Sequence, residues 1–229
     1  MLGQMTPEEA VGRTAAWAPV PFVGEITIRM PAASSGLWDL WDATGREPPP
    51  FWAFPWAGGQ ALARYILDHP DVVRGRQVLD VASGSGLVAI AAARAGAATV
   101  VAGDIDPNAV AAIGVNAAAN GVAVTARAFD LAADDVGDAE VVLAADVFYQ
   151  VDLAGRALAF LRAAARSGAD VLTADPGRAF LPADCLTPVA SYEVPVITEI
   201  ETAPARRAAV YRLAADFTNN LSLTDNGDS

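Results

Sequence analysis

Apolar and polar positions follow two different periods along this chain, and from residue 77 onward the two take turns. Short apolar runs over Gln77–Val81, Thr99–Gly103, Val122–Ala128, Val141–Ala145 and Asp170–Ala174 read as strands buried on both faces. Between them, Leu87–Ala95, Pro107–Asn120 and Asp152–Arg166 place apolar residues at helical spacing. Pro107 suits a first helical turn, and Asp152 is the expected N-cap of the last helix. Strands and helices alternating over short connections predict a doubly wound α/β fold, a mostly parallel sheet covered on both faces.

Outside this stretch the pattern is less regular. Glu8–Trp17 is expected to be a short helix, Val23–Met30 a strand, and Arg46–Pro50 extended because of its prolines. The aromatic run Phe51-Trp52-Ala53-Phe54-Pro55-Trp56 either covers the core or lines a pocket. Gly58–Asp68 reads as a helix that ends in a turn at His69. Tyr192–Ile200 and Arg207–Leu213 have no helix between them and predict a closing strand pair, so the sheet ends antiparallel. The expected organisation is an N-terminal extension over 1–57 packed on the core, one domain over 58–215, and a flexible tail over 216–229.

Composition narrows the chemistry. The single cysteine, Cys185, and single histidine, His69, leave no disulfide, no Cys/His zinc set and no Ser-His-Asp triad, so no metal is expected. A net charge of −12 argues against nucleic acid and suits a basic partner, although all 15 basic residues being arginine also reflects base composition. No apolar run is long enough to span a membrane, and the first residues lack a basic segment followed by an apolar one. A cytoplasmic monomer is the expectation.

The chemistry concentrates where strands end. Val78-Leu79-Asp80-Val81-Ala82-Ser83-Gly84-Ser85-Gly86 is a strand running into a glycine-rich turn, with a helix starting near Leu87. Glycines there allow close backbone approach, and the helix N-terminus offers free N–H groups to an anionic ligand group. Asp104, eighteen residues after Gly86, stands at the next strand end, where a carboxylate accepts from a ribose diol. Asp130 follows the third strand, in position for an adenine amino group. Gly84–Ala89 also fits G-x-G-x-x-A, so a dinucleotide remains the competing ligand. Asp80 in the first strand and the closing strand pair favour a nucleoside cofactor of another kind. Asp146, followed by Phe148 and Tyr149, ends the fourth strand. A carboxylate with aromatic walls suits an amine nucleophile.

With these residues in hand, the chain resembles the seven-β-strand S-adenosylmethionine-dependent methyltransferases, and among them the lysine methyltransferase family acting on the electron transfer flavoprotein β subunit. The resemblance rests on Trp52-Ala53-Phe54-Pro55-Trp56-Ala57-Gly58-Gly59-Gln60, Asp71-Val72-Val73-Arg74-Gly75, the glycine loop, Asp104-Ile105-Asp106-Pro107, Asp146-Val147-Phe148-Tyr149 and Asp175-Pro176-Gly177-Arg178. It implies a Rossmann-like sheet of seven strands and S-adenosylmethionine as cofactor. Trp56 and Gly58 would border its methionine end, with Asp146 adjoining it. Asp80 and the Gly84–Gly86 turn would hold the amino-acid moiety and Asp104 the ribose, with Ala82, Ser83, Ile105 and Asp130 completing the cofactor-binding set. Asp146 and Tyr149 are the implied catalytic pair, and Trp52, Phe148, Asp175 and Arg178 the implied substrate side, with a strand-end turn as the alternative for Asp175 and Arg178. Ala82 replaces the loop's first glycine and is expected to have negative φ. Transfer to a protein lysine is the leading expectation. A small-molecule N-methyltransferase acting on an amine or pyridine, and a non-catalytic nucleoside- or NAD-binding module, are the alternatives.

Overall fold

The computed structural model describes residues 15–31, 50–196 and 204–213. Two antiparallel strands, β1 (Ala15–Val20) and β2 (Val23–Pro31), form a separate hairpin. A single 3-10 turn at Phe51–Ala53 leads into helix α1 (Ala57–Asp68). The central unit then alternates β3 (Gln77–Val81), α2 (Leu87–Arg94), β4 (Thr99–Asp104), α3 (Pro107–Ala119) and β5 (Thr125–Ala128). It continues through β6 (Val141–Ala145), α4 (Val151–Arg166), β7 (Asp170–Asp175), β8 (Leu186–Pro195) and β9 (Ala205–Leu213).

The seven strands β3–β9 form one sheet in the order β5-β4-β3-β6-β7-β9-β8. Five are parallel; β9 enters antiparallel to β7, and β8 pairs antiparallel with β9 at the edge. The chain moves outward from β3 to β5 and returns to β6 on the other side of β3. That reversal opens a crevice at the C-terminal ends of β3 and β6, where open α/β sheets bind ligands.

Strand alternation divides the core. Val78, Val141 and Leu143 face a cluster with Leu62 and Ile66 of α1, Ile90 of α2 and Ile113 of α3. Leu79, Val81, Val142 and Ala144 face Phe160 and Leu161 of α4, together with Phe148 and Phe129. The polar residues Arg156, Arg162 and Arg166 lie between the buried positions of α4, giving it one apolar stripe. Gly103 is required by packing, since a Cβ there would lie 2.4 Å from Phe129 Cβ.

The hairpin is held to the core through amides. Asn116 of α3 accepts from the Arg29 N–H and donates to the Ser85 carbonyl, in the glycine loop. Asn120, one turn later, accepts from Thr27 N–H at 3.1 Å and donates to the Thr27 carbonyl at 2.6 Å. Two side chains on α3 thus do for the edge of β2 what a neighbouring strand would do. Gln60 ties three more segments together. It accepts from the Phe22 N–H and donates to the carbonyls of Pro55 and Pro195.

Several expected boundaries move. The helix expected over Glu8–Trp17 lies outside the described residues except Ala15–Trp17, which begin β1, because pairing with β2 outweighs local helix preference. Arg46–Pro49 and the tail lie outside the described residues. The third strand of the central unit begins at Thr125 rather than Val122, where pairing with β4 begins. Asp152 is in the first turn of α4, whose N-cap is Gln150 without a side-chain bond, so the carboxylate meets the helix dipole instead of capping it. The penultimate strand is Leu186–Pro195, displaced from the expected Tyr192–Ile200, whose residues 197–200 lie outside the described set. Its register is set by β9, and as an edge strand it exposes residues on both faces.

Candidate active site

The ends of β3 and β6 and the first turn of α1 meet at the crevice. Strand β3 carries Asp80 on the same face as Val78, toward α2. Its carboxylate accepts from the Ser83 hydroxyl and from the Ala89 N–H at 3.1 Å, clamping the glycine loop to the start of α2. Burial pushes the Asp80 carboxyl up to about 7, against the pull of those two donors. The loop itself needs left-handed backbone at Gly84 (φ 55°) and Gly86 (φ 82°), and Gly86 also abuts Ile113. Ala82 has φ 50°, which corrects the expectation of a negative angle. The turn imposes the angle and the alanine takes it up at some strain.

Asp104 accepts from Gly84 N–H at 2.9 Å and from Asp106 N–H at 3.0 Å. It therefore fixes the loop of β3 against the end of β4, and burial raises its carboxyl pKa. Ile105 beside it is exposed. Asp130 accepts from the Ala132 N–H at 2.9 Å, closing a turn after β5.

At the end of β6, Asp146 has φ 60°, and its own N–H bonds to the Ala174 carbonyl of β7. One carboxylate oxygen accepts from Gly59 N–H at 2.7 Å, in the first turn of α1. The other pairs with the Arg178 guanidinium, which also contacts Asp175 at 3.2 Å. Asp175 is fully buried and further accepts from Gly177 and Arg178 N–H. Burial raises the Asp146 carboxyl, and Arg178 opposes that rise. Gly58 makes the junction sterically feasible, because a Cβ there would stand 2.7 Å from Asp146 Oδ2 and 2.6 Å from the Ala174 carbonyl oxygen.

Aromatic rings cover this junction. Phe51 lies 5.5 Å from Tyr149 and 6.1 Å from Trp56, ring centre to ring centre, and the Trp56 indole N–H donates to the Phe51 carbonyl. Burial and the Asp104 charge raise the Tyr149 phenol, while Arg178 acts the other way, so this ring lies within electrostatic reach of both loops. A cavity beneath is walled by Trp56, Gly59, Asp80, the Ala82–Ser85 loop and Asp146.

The structure thus gathers Trp56, Gly58, Asp80, Ala82, Ser83, Gly84, Asp146 and Tyr149 at one place. It separates others from it. Phe148 is completely buried in the α4-side core and walls no channel, a correction to its expected substrate role, since the β6 turn sends Phe148 inward and Tyr149 outward. Trp52 is likewise buried, packed with Phe54 against Ala109 and Ala112 of α3, with its Cα over Gly84. It roofs the glycine loop, which corrects its expected place on the substrate side. The ring that flanks Tyr149 is Phe51. Sequence offered only its membership of an aromatic run. Asp104, Ile105 and Asp130 lie outside that cavity wall.

The donor set fits an amino-acid sulfonium. Carboxylates stand on either side of the cavity, loop backbone at the start of α2 lies between them, and an aromatic face closes it. The comparisons agree with that chemistry. The family model of the ribosomal protein L11 methyltransferases (PrmA) matches residues 60–151. The electron transfer flavoprotein beta subunit lysine methyltransferase of Rattus norvegicus is 39% identical over 164 residues, 67% of this chain and 61% of its own length. That of Xenopus laevis is 39% identical over 165 residues, 69% of this chain and 65% of its own. The chain thus spans somewhat less than two thirds of the length of the curated relatives it matches. In fold it matches the magnesium protoporphyrin IX methyltransferase of Synechocystis PCC 6803, solved with bound S-adenosylhomocysteine. The TM-score is 0.51 at 16% identity, over 80% of this chain and 100% of that one. The chain has the Rossmann-like seven-strand fold of S-adenosylmethionine-dependent methyltransferases, and its sequence resembles the electron transfer flavoprotein β-subunit lysine methyltransferases.

Proposed function

We propose that this chain is an S-adenosylmethionine-dependent protein-lysine N-methyltransferase whose acceptor is an electron transfer flavoprotein β subunit or a protein like it. The observation that carries the reading is the junction at the sheet's switch point. There a carboxylate with 11% of its side chain exposed, Asp146, sits beneath an aromatic mouth formed by Phe51, Trp56 and Tyr149. Acid and aromatic faces together favour an amine, which both attract as a cation and partly desolvate as a base.

When bound, the cofactor supplies a methyl group on a sulfonium, open to in-line attack. The residues that would hold it are Trp56, Asp80, the Ala82–Gly86 loop and Asp104. Asp80 and the loop match an amino-acid head group, and Asp104, bonded to Gly84 N–H beyond the cavity wall, would meet vicinal hydroxyls on a ligand that extends past the loop. A lysine ammonium, at ~10.4 in water, must lose its proton before it attacks. The rings of Phe51 and Tyr149 favour that loss by excluding water, whereas Asp146 favours the charged form. Asp146 therefore acts by orienting the amine, and water carries the proton away. Alignment of this kind supplies much of the acceleration in a single displacement.

The test is transfer of labelled methyl from S-adenosylmethionine to purified electron transfer flavoprotein β subunit, with nicotinamide as a small acceptor in parallel. The chain contains no lysine, so every methyl-lysine belongs to the acceptor. Methyl-lysine on the protein with nothing on nicotinamide is expected. Label on the small acceptor alone would move the assignment to a small-molecule enzyme, and binding of NAD in preference to S-adenosylhomocysteine would overturn it altogether.

A further inference from the structure

Arg178 is absorbed by neither cofactor nor acceptor in this reading, yet it lies deep in the site. Its guanidinium Nη1 is shared between Asp146 and Asp175, and its side chain is 18% exposed. Asp175 in turn has no exposed surface and uses its other oxygen to hold the backbone N–H groups of Gly177 and Arg178. The loop after β7 is thus wound around Asp175 in a way that presents one cation to the end of β6. Both ion pairs run through Nη1, so the charge of the guanidinium is turned toward the two acids.

We propose that Arg178 is a positioning residue: anchored by Asp175, it keeps Asp146 ionised and in the single orientation that meets an incoming amine. This rests on the methyltransferase reading above and deepens it, by replacing the expected substrate contact of Arg178 with an action through Asp146. The backbone supports the same conclusion. Asp146 stands in a left-handed conformation at the strand end, and among the described residues two groups fix its carboxylate, Gly59 N–H and Arg178. Gly59 N–H sets one oxygen and Arg178 the other, so loss of Arg178 frees rotation about one end and removes the only adjacent cation found among the described residues. The charged groups facing Asp146 are Arg178 and Asp175 from the loop after β7, with the α1 N-terminus above and Asp80 across the cavity. Without the guanidinium, two acids and a partial positive helix end remain. A largely desolvated carboxyl in that company takes up a proton.

The experiment is infrared difference spectroscopy on the purified full chain, with Arg178→Gln, Arg178→Lys, Asp146→Asn and the Arg178→Gln/Asp146→Asn pair. A protonated carboxyl band additional to the one that Asp80, near 7, gives in every variant is expected at neutral pH in Arg178→Gln. It should be missing from the Asp146→Asn pair and from wild type, and weak in Arg178→Lys. Methyl transfer by Arg178→Gln is expected to fall at least tenfold at neutral pH, with the acid limb of kcat/KM displaced upward by about one pH unit or more, and Arg178→Lys should restore most of it. A merely structural arginine would lower stability and leave both the band and the shape of the profile alone; that result overturns the proposal. If Arg178→Gln does not fold, Arg178→Lys decides: a folded protein that keeps the wild-type carboxyl bands but does not recover most of the transfer overturns the proposal. The band is read without any acceptor, so failure of wild type to methylate protein would sink the function and leave the positioning test standing.

Discussion

Burial holds the Asp80 carboxyl near 7 in the folded chain, where an unstructured aspartate titrates near 3.8. The folded state therefore binds more protons than the unfolded one across that interval, and stability falls as pH rises. The contribution is fully present below about pH 4 and is lost by the time pH passes about 7. Urea midpoints measured across this window should decline with pH in wild type and decline less in Asp80→Asn, whose side chain keeps a polar group without the charge. Equal slopes for the two proteins would mean that Asp80 is ionised throughout. Ala82 gives a second prediction at this scale. Its φ of 50° places a Cβ in a region that suits glycine. Ala82→Gly should stabilise the fold by about 0.5–1 kcal/mol, the strain relieved less the entropy that glycine adds to the unfolded chain. Thermal unfolding would show it as a rise of about 1–4 °C for a domain of this size.

The first turn of α1 carries two adjacent glycines with different duties. Gly58 has no room for a Cβ, since Ala174 O and Asp146 Oδ2 lie within 2.7 Å of where it would stand, and the first of these is backbone. Gly59 has nothing closer than 3.9 Å. Gly58→Ala is therefore expected to cost about 1–3 kcal/mol by overpacking and, by pushing α1 off the ends of β6 and β7, to remove most of the proposed methyl transfer. Gly59→Ala should leave the fold unharmed or slightly more stable, because alanine is the better helix former. Chemical denaturation and transfer assays on the two variants check this, and equal damage at both positions would be contrary to it. The same element explains Asp146. Gly59 N–H reaches its carboxylate only because α1 begins where β6 ends.

Across the molecule, parts distant in sequence converge on the site through buried amides. Gln60, 1% exposed, joins the hairpin turn at Phe22, the aromatic cover at Pro55 and the end of β8 at Pro195. Gln60→Leu would fill the space and strand three backbone groups at once. A loss of about 3 kcal/mol is expected, at roughly 1 kcal/mol or more for each lost bond. Limited proteolysis should open the chain near the hairpin and the aromatic segment first, because those segments lose their shared tie. Unchanged cleavage kinetics would show that apolar packing alone holds them.

The central α/β unit was legible from periodicity. Gln77–Val81 and Val141–Ala145 were read to the residue, because a strand buried on both faces is a mostly apolar run, interrupted inside the first of them by Asp80 alone. The glycine loop, Asp104 and Asp146 were equally visible, since each polar residue sat at an apolar strand's end. Tertiary structure decided what local pattern leaves free. Edge strands such as β8 take their limits from a partner rather than from their own composition, so the closing pair shifted. Phe148 and Tyr149 are neighbours of similar chemistry, and only the turn after β6 sends one into the core and the other to the mouth. Trp52 and Phe51 divided in the same way, one becoming a roof for the loop and the other a wall of the site. The sharing of Arg178 between Asp146 and Asp175 joins positions 32 residues apart. No spacing rule contains that contact, because it exists only once β6 and β7 lie side by side.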